Sequence, residues 1–551
     1  MVNMQILKKL HLMARSLACL VLLLPVLVAT TAFAQSTHPL FKTSDNCMAC
    51  HNGLFTQAGE DVSLGANWSA TMMANSARDP YWQATVRREI LDHPEASAEI
   101  QHECATCHMP MARYQAKTEN RKTEVFANLP GGSASDTDEA LLAQDGVSCS
   151  LCHQITPEGL GTPASLVGGF HVDTTAKLGE RAVYGPFEID AGHQEIMRSA
   201  AGHKPQAGAH IQSSELCASC HTLITDALGA SDKPIGNLFE QMPYQEWQHS
   251  SYANSQSCQD CHMPQVDSAV PISAVLGQAR DGVNRHDFRG GNFFIQRMLN
   301  RYRNELAVTA SSQALENAAN RTEAHLKSGA AGNITIDSVD VQNGTLEAAL
   351  TVTNAGGHKL PTAYPSRRLW IQLTVHNAAG AVVFESGRFN NNGAIEGNDN
   401  DSDKNRYEPH YNVIDDPEQV QIYEAIVAGA DGALTTSLLT ATQYLKDNRL
   451  LPLGFDKVSA DPTIAVTGNA AQDDDFTDGR DSIGYKIAIN NNDGPFTIDA
   501  TLRFQPIGYR WADNLGAYAA PETQRFYDWY TAMASESALA MAHAQVRSVQ
   551  P

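Results

Sequence analysis

The sequence predicts a chain of two unlike halves. An irregular N-terminal half, with short helices and little regular secondary structure, is followed by a β-sandwich of immunoglobulin-like outline and a C-terminal helix. Three observations carry this expectation. Ten of the eleven cysteines fall into five C-x-x-C-H units between residues 47 and 262. The segments between the units are Gly- and Pro-bearing polar runs, such as LPGGSASDTD and GLGTPASLVGG, with only local helical patches such as YWQATVRREILDH. After about residue 330 the texture changes: ITIDSVDVQ, TLEAALTVTN and RLWIQLTVHN alternate or run β-branched between turn residues, as strands do.

Residues 1–34 read as a signal peptide. Lys8, Lys9 and Arg15 precede the apolar run ACLVLLLPVLVA, and Ala32-Phe33-Ala34 offers an A-x-A cleavage site. The run is broken by Pro25 and is too short to span a bilayer. Cys19 lies before the apolar core, which argues against a lipid anchor. No later segment reaches 18 consecutive apolar residues, so the mature chain is expected to be exported, most simply to the periplasm, with the outer surface or the medium as alternatives. Removing a leader that holds three Lys/Arg and no acid takes the formal charge from -22 to about -25. Such an acidic surface disfavours nucleic acid and anionic membranes as partners and favours cationic-patched proteins.

The chemistry lies in residues 35–299. The units are Cys47/Cys50/His51, Cys104/Cys107/His108, Cys149/Cys152/His153, Cys217/Cys220/His221 and Cys258/Cys261/His262, and no mature cysteine is left over. A disulfide framework requires no histidine after each second cysteine. Zinc sites need four ligands and usually pair two units, and five is odd. Oxidoreductases of the thiol–disulfide class carry one or two C-x-x-C motifs. Covalent attachment of five c-type haems remains, with thioethers from each cysteine pair and each adjacent histidine as proximal iron ligand. The first region is therefore expected to be a multihaem cytochrome c domain whose haems replace a side-chain core, so that folding depends on their attachment. NWSATMMANSA (67–77) and EWQHSSYANSQ (246–256) share a Trp, a hydroxyl three residues on, and Ala-Asn-Ser. With the doubled CHMP they suggest duplication of a haem-binding unit.

The second axial ligand decides the chemistry: histidine or methionine makes an electron carrier, an open face a potential catalyst. Fourteen mature histidines lie outside the motifs. His102, His171, His193, His249 and His286 are the preferred distal candidates, with His203, His210 and His358 next. His325, His376, His410 and His543 lie far from the cysteines in helix or strand contexts and are read as structural. Met72 and Met73 stand in the matching segment of the first repeat, which makes Met73 a candidate for the first haem. Met109 and Met263 follow proximal histidines and cannot reach the opposite face of the same iron. No C-x-x-C-K variant is present, and no cross-linking tyrosine is identifiable. The acidic runs 398–405 and 472–481 offer oxygen ligands for calcium, but the first lacks the EF-hand turn glycine, and solvated loops are the preferred reading.

A helical linker is expected over 300–330. The β-sandwich occupies 331–515 and is interrupted by a long polar insertion at about 387–483, and a closing helix fills 516–551. Within the β half, AGGHKLPTAYPSRR (355–368) places His358 on a Gly-Gly turn that could reach an iron of the first region, with Arg367 and Arg368 available to haem propionates.

The segments W-x-x-[ST]…A, DGVSCSLCH (145–153), YQEW…CQDCHMP (244–264) and HDFRGGN (286–292) resemble those of exported bacterial multihaem c-type cytochromes related to the tetrahaem cytochromes that serve hydroxylamine oxidoreductase. The resemblance covers roughly residues 40–300. It implies closely packed haems that pass electrons between a quinol-side donor and a terminal reductase or extracellular acceptor in anaerobic respiration. A haem-dependent oxidoreductase acting on a small nitrogen or sulfur compound is the alternative. An oligomeric or filamentous assembly using the β-domain is a third reading.

Overall fold

The computed structural model describes residues 39–548; the signal peptide expected at 1–34, with Cys19, lies outside them. Residues from Phe41 onward pack as one compact unit. In the motif half, short helices are joined by turns, with two small ribbons: 181–185 parallel to 203–207, and 223–228 antiparallel to 234–241. The repeat has a structural meaning. Thr71 Oγ1 donates to Trp68 O, and Ser250 Oγ donates to Trp247 O, both at 2.7 Å. The hydroxyl three residues after each Trp closes the same helix end.

Helix Pro80–Asp92 starts at an Asp79 cap, whose carboxylate accepts from the N–H groups of Tyr81 and Trp82, with Pro80 at the first helical position. Ten of its thirteen residues are buried, because it lies between the two halves. Tyr81 packs on Phe526 with ring centres 5.1 Å apart. Arg88 donates to Thr436 O at 2.7 Å, and the Glu89 carboxylate accepts from Leu438 N and Ser437 Oγ at 3.0 and 2.7 Å. The motif half therefore buries more side chain of its own than its loop-rich composition suggests, and it does so against the β half.

The β half is a sandwich. One sheet has the order 441–447, 422–429, 368–376, 497–505, 539–547, with 382–386 also paired to 368–376. The other runs 332–342, 345–354, 480–488, 413–414, with only the last pair parallel. Period-2 alternation points Leu346, Leu350 and Val352 of the second sheet, and Leu373, Val375, Ile498 and Leu502 of the first, into one shared core.

Three expectations are corrected. The linker is not one continuous helix. Helix Phe293–Arg301 stops, Ala307 takes a positive φ of 48°, and Ser311 caps a new helix, Ser312–Lys327, by accepting from Ala314 N. The segment 387–483 is not a polar insertion hung on the sandwich: it supplies 422–429, buried along its whole length in the first sheet, together with 441–447 and 413–414. Polar composition hid the short apolar run IYEAIVAG. The C-terminal helix spans only Pro521–Met533, and Leu539–Arg547 is a strand. Its sequence LAMAHAQVR satisfies either period, and pairing along 497–505 decides for the extended form.

Candidate functional site

Each C-x-x-C pair sits in or at the end of a short helix, so one helical turn places both thiols on the same side. The fifth is fixed by a capping box between Ser257 and Asp260. All ten described cysteines are free thiols, and none is in a disulfide. Thiols of different motifs interact directly: Cys47 with Cys149, Cys107 with Cys220, and Cys217 with Cys258. Cys152 also lies in the field of Cys220. The first motif thus adjoins the third, the third the fourth, and the fourth both the second and the fifth.

Cysteines and histidines of the first four motifs line one cavity of about 1360 Å³, and Gln259 and Met263 bring the fifth to its edge. This exceeds an ordinary small-molecule pocket of about 300–1000 Å³. The motif histidines are oriented for metal binding. Nδ1–H donates to a backbone carbonyl in four of them: His51 to Ile272 (2.5 Å), His108 to Ser76 (2.9 Å), His153 to Tyr184 (2.5 Å) and His262 to Arg289. A carbonyl can only accept, so these bonds fix the proton on Nδ1 and leave the Nε2 lone pair for a metal. Burial pushes the pKa of His108 and His221 down to about 4, which favours the neutral, ligating form. Trp82 stacks on His108 at 4.3 Å and 4° and holds its plane.

Two distal candidates face motif histidines. His286 lies 6.3 Å from His153 with planes 11° apart, and His358 lies 6.2 Å from His262 at 9°. These separations are too long for face-to-face ring contact. With metal–imidazole bonds of about 2 Å, each facing pair would have room to hold one metal ion between its two rings. His286 gives Nδ1–H to Asn284 O at 3.1 Å, and His358 Nδ1 lies 3.1 Å from Lys359 O and 2.7 Å from the Thr362 hydroxyl. His203 is buried, lines the cavity, and has neither ring nitrogen at hydrogen-bond geometry. Met72 and Met73 also line the cavity.

The other candidates are placed differently. His102 Nδ1 accepts from Thr123 N at 3.1 Å, which leaves its proton on Nε2. His249 and His210 donate Nε2–H to Asp456 O (3.1 Å) and Ile155 O (2.9 Å). His171 is exposed, 3.7 Å from Glu158. His193 lines the cavity, but both its nitrogens are engaged, by Asp190 and Leu276 O.

Sequence reading missed two histidines. His325 on helix Ser312–Lys327 lies 6.1 Å from His262 at 54°; its neighbour exists only once this helix folds back on the motif half. His93 is buried with Nδ1 on Asp232 at 2.9 Å and Nε2 without a partner. The sequence also gave no sign of what fixes the His358 turn. Lys359 N–H donates to Glu246 Oε2 at 3.0 Å, and Lys359 Nζ to Asp447 at 2.7 Å. Arg449 binds Asp447 through two nitrogens at 2.8 Å and reaches Glu246 at 3.1 Å. Burial alone would raise Asp447, but the Arg449 and Lys359 charges overrule it and hold the carboxyl far below its usual range. Glu246 belongs to the motif half, so this buried network ties His358 to it.

Of the two arginines, Arg368 is consumed structurally by Asp401 (2.8 Å) and Gln505 (2.7 Å), whereas Arg367 lines the cavity. The acidic runs are likewise engaged. Asp399 pairs with Arg406 at 2.7 Å and Asp401 with Arg368, while Asp473 and Asp481 surround the buried His410. Gln421, held by Tyr411 N–H on its Oε1, directs its amide N–H to His410 Nδ1 at 2.8 Å. The imidazole proton therefore sits on Nε2 and is donated to Asp473 at 3.0 Å, an arrangement for a hydrogen-bonded triad rather than a cation.

Free paired thiols, imidazoles with oriented Nε2 atoms, an oversized cavity and orphaned polar groups within it fit covalently bound haem. No family model and no curated protein matches the chain. A solved structure described as a penta-heme cytochrome c552 from Thermochromatium tepidum is similar at a TM-score of 0.49 and 14% identity, covering 93% of this chain and 100% of that one. A likeness at this level carries no functional weight, and the case for haem rests on the chain's own residues.

Proposed function

We propose that the protein is an exported multihaem c-type cytochrome carrying electrons along five covalently attached haems. His51, His108, His153, His221 and His262 are the proximal ligands, and His286 and His358 the imidazoles opposite His153 and His262. The carrying observation is the contact chain among the motifs, first to third to fourth, with the second and fifth branching from the fourth. Bound haem supplies a one-electron couple at each motif. The chain's own residues orient the imidazoles, keep them neutral, and bring neighbouring attachment points into contact. Cys261 is the exposed thiol among the ten, so the fifth motif is the natural port for a redox partner, and the acidic surface selects one with a cationic face. No helix among the described residues is long and apolar enough to cross a membrane. Expression with the haem-attachment machinery, followed by intact mass and pyridine haemochrome assay, tests this. Five haems per chain are expected; a haem-free exported chain, or one holding zinc, would overturn it.

A second reading, a haem oxidoreductase, is favoured by one observation. Among the described residues no imidazole pairs across from His51, His108 or His221 as His286 and His358 do.

A further inference from the structure

Residues 284–289, NRHDFR, touch two of the motif histidines. His286 faces His153 at 6.3 Å. Three residues on, Arg289 holds His262 through both its backbone groups. Its carbonyl accepts the Nδ1–H of His262, and its own N–H donates to His262 O at 2.9 Å. The fifth motif therefore has two neighbours, the fourth through Cys217 and Cys258 and the third through this segment. Between the two contacts Phe288 takes a positive φ of 39°. An aromatic residue rarely enters that region, and backbone strain of this kind gathers where function needs it. The Phe288 ring meets His286 edge-on with centres 5.8 Å apart, and it lines the main cavity.

Asp287 sits in the middle of this bridge, with its side chain 3% exposed. Its Oδ2 is shared by two guanidinium groups, Arg289 Nε at 3.1 Å and Arg321 Nε at 3.6 Å, while its Oδ1 is buried and has no donor. Arg285 is held instead by Glu60, through two nitrogens at 2.6 and 3.1 Å. Arg321 comes from helix Ser312–Lys327, one turn before His325. His325 lies 6.1 Å from His262 and in the field of both Asp287 and Arg289. A buried carboxylate with one oxygen unmatched is costly. Away from water its charge acts strongly on its neighbours, and here the neighbours on either side are the histidines of two centres.

We propose that Asp287 is a positioning residue for electron transfer. Its carboxylate, held by Arg289 and Arg321, sets the potentials of the third and fifth centres together and makes residues 286–289 a direct link between them. A negative charge favours the oxidised state of a neighbouring iron, which gains positive charge when it gives up its electron. Asp287 therefore lowers both potentials, and Arg321 raises them. The proposal rests on the haem-bearing reading above, and covalent haem content is scored separately.

The test is a redox titration of the holoprotein followed by visible and electron paramagnetic resonance spectra. His286→Ala and His358→Ala, which remove the imidazoles facing His153 and His262, identify the signals of the third and fifth centres. In Asp287→Asn, which keeps the shape and removes the charge, both potentials should rise while the other three stay in place. In Arg321→Gln the same two should fall. Five haems per chain are expected in both charge variants. Opposite signs separate a charge effect from a packing disturbance, which would move both variants the same way. Unchanged potentials in both variants, shifts of the same sign in both, or a shift of only one of the two centres would overturn the proposal. If Asp287→Asn fails to accumulate, Arg321→Gln decides alone, because the Arg321 side chain is 33% exposed and its loss leaves Asp287 paired with Arg289. A chain without haem would instead sink the cytochrome reading.

Discussion

The two halves treat their buried polar groups in opposite ways. In the β half, Lys359, Asp447 and Arg449 close on one another and on Glu246 of the motif half, and Arg368 is bound by Asp401 and Gln505. In the motif half, both nitrogens of His203 and the hydroxyls of Tyr81 and Thr106 lie buried with no partner at hydrogen-bond geometry. A buried polar atom left without a partner costs about 1–3 kcal/mol, so a fold does not keep several in one cavity unless something else satisfies them. The difference teaches that the β half pairs most of its buried charges with one another, whereas the motif half leaves imidazole and hydroxyl groups along one cavity open to a further group.

The contrast can be broken most severely by withholding that group. Without haem attachment the motif half should lose its native structure, while the sandwich core keeps its β signal; far-ultraviolet circular dichroism and limited proteolysis of the apo-chain check this, and a fully native apo-chain would refute it.

Asp447→Asn should come next. It leaves Lys359 and Arg449 buried without their shared carboxylate, and removing one partner of such a network costs about 3–5 kcal/mol; denaturant unfolding of the holoprotein measures it. The pH dependence follows from the same pairing. Because the folded carboxyl is held below its unfolded value of about 3.9, its contribution is fully present above that pH and is lost as pH falls below it. The variant should therefore show a shallower acid-side loss than the wild type.

Leu373→Ala, in the fully buried sandwich core, should cost about 2–5 kcal/mol with haem spectra unchanged. His358→Ala should do the reverse, converting one low-spin haem to high-spin with little loss of β-domain stability, as read by electron paramagnetic resonance. The smallest effect is expected at Arg87–Glu522, a two-pronged pair at 2.8 and 3.1 Å joining the helices that bridge the halves. Both partners are partly exposed, so Arg87→Ala should cost about 1 kcal/mol or less.

Legibility followed the range of the interactions. C-x-x-C-H spacing is local chemistry, so the fifteen residues proposed to hold haem are visible in the sequence, as are the alternating strands 345–354 and 497–505. His286 could be proposed because it sits on a Gly-bearing turn soon after the last motif. His325 reads as structural because nothing in LENAANRTEAHLK shows that the helix returns to His262. The strand 422–429 was lost in a polar stretch, since its apolar run is shorter than the surroundings that mask it.

By itself the sequence determined the number and spacing of the C-x-x-C-H units and the acidic character of the chain, because each depends on residue type and on spacings of a few residues. Only the tertiary structure decided which imidazoles face which, the order in which the motifs touch, and that Lys359, Glu246 and Asp447 clamp the GGHKLP turn. Those outcomes join residues about a hundred positions apart, and only the packing of the halves brings them within bonding distance.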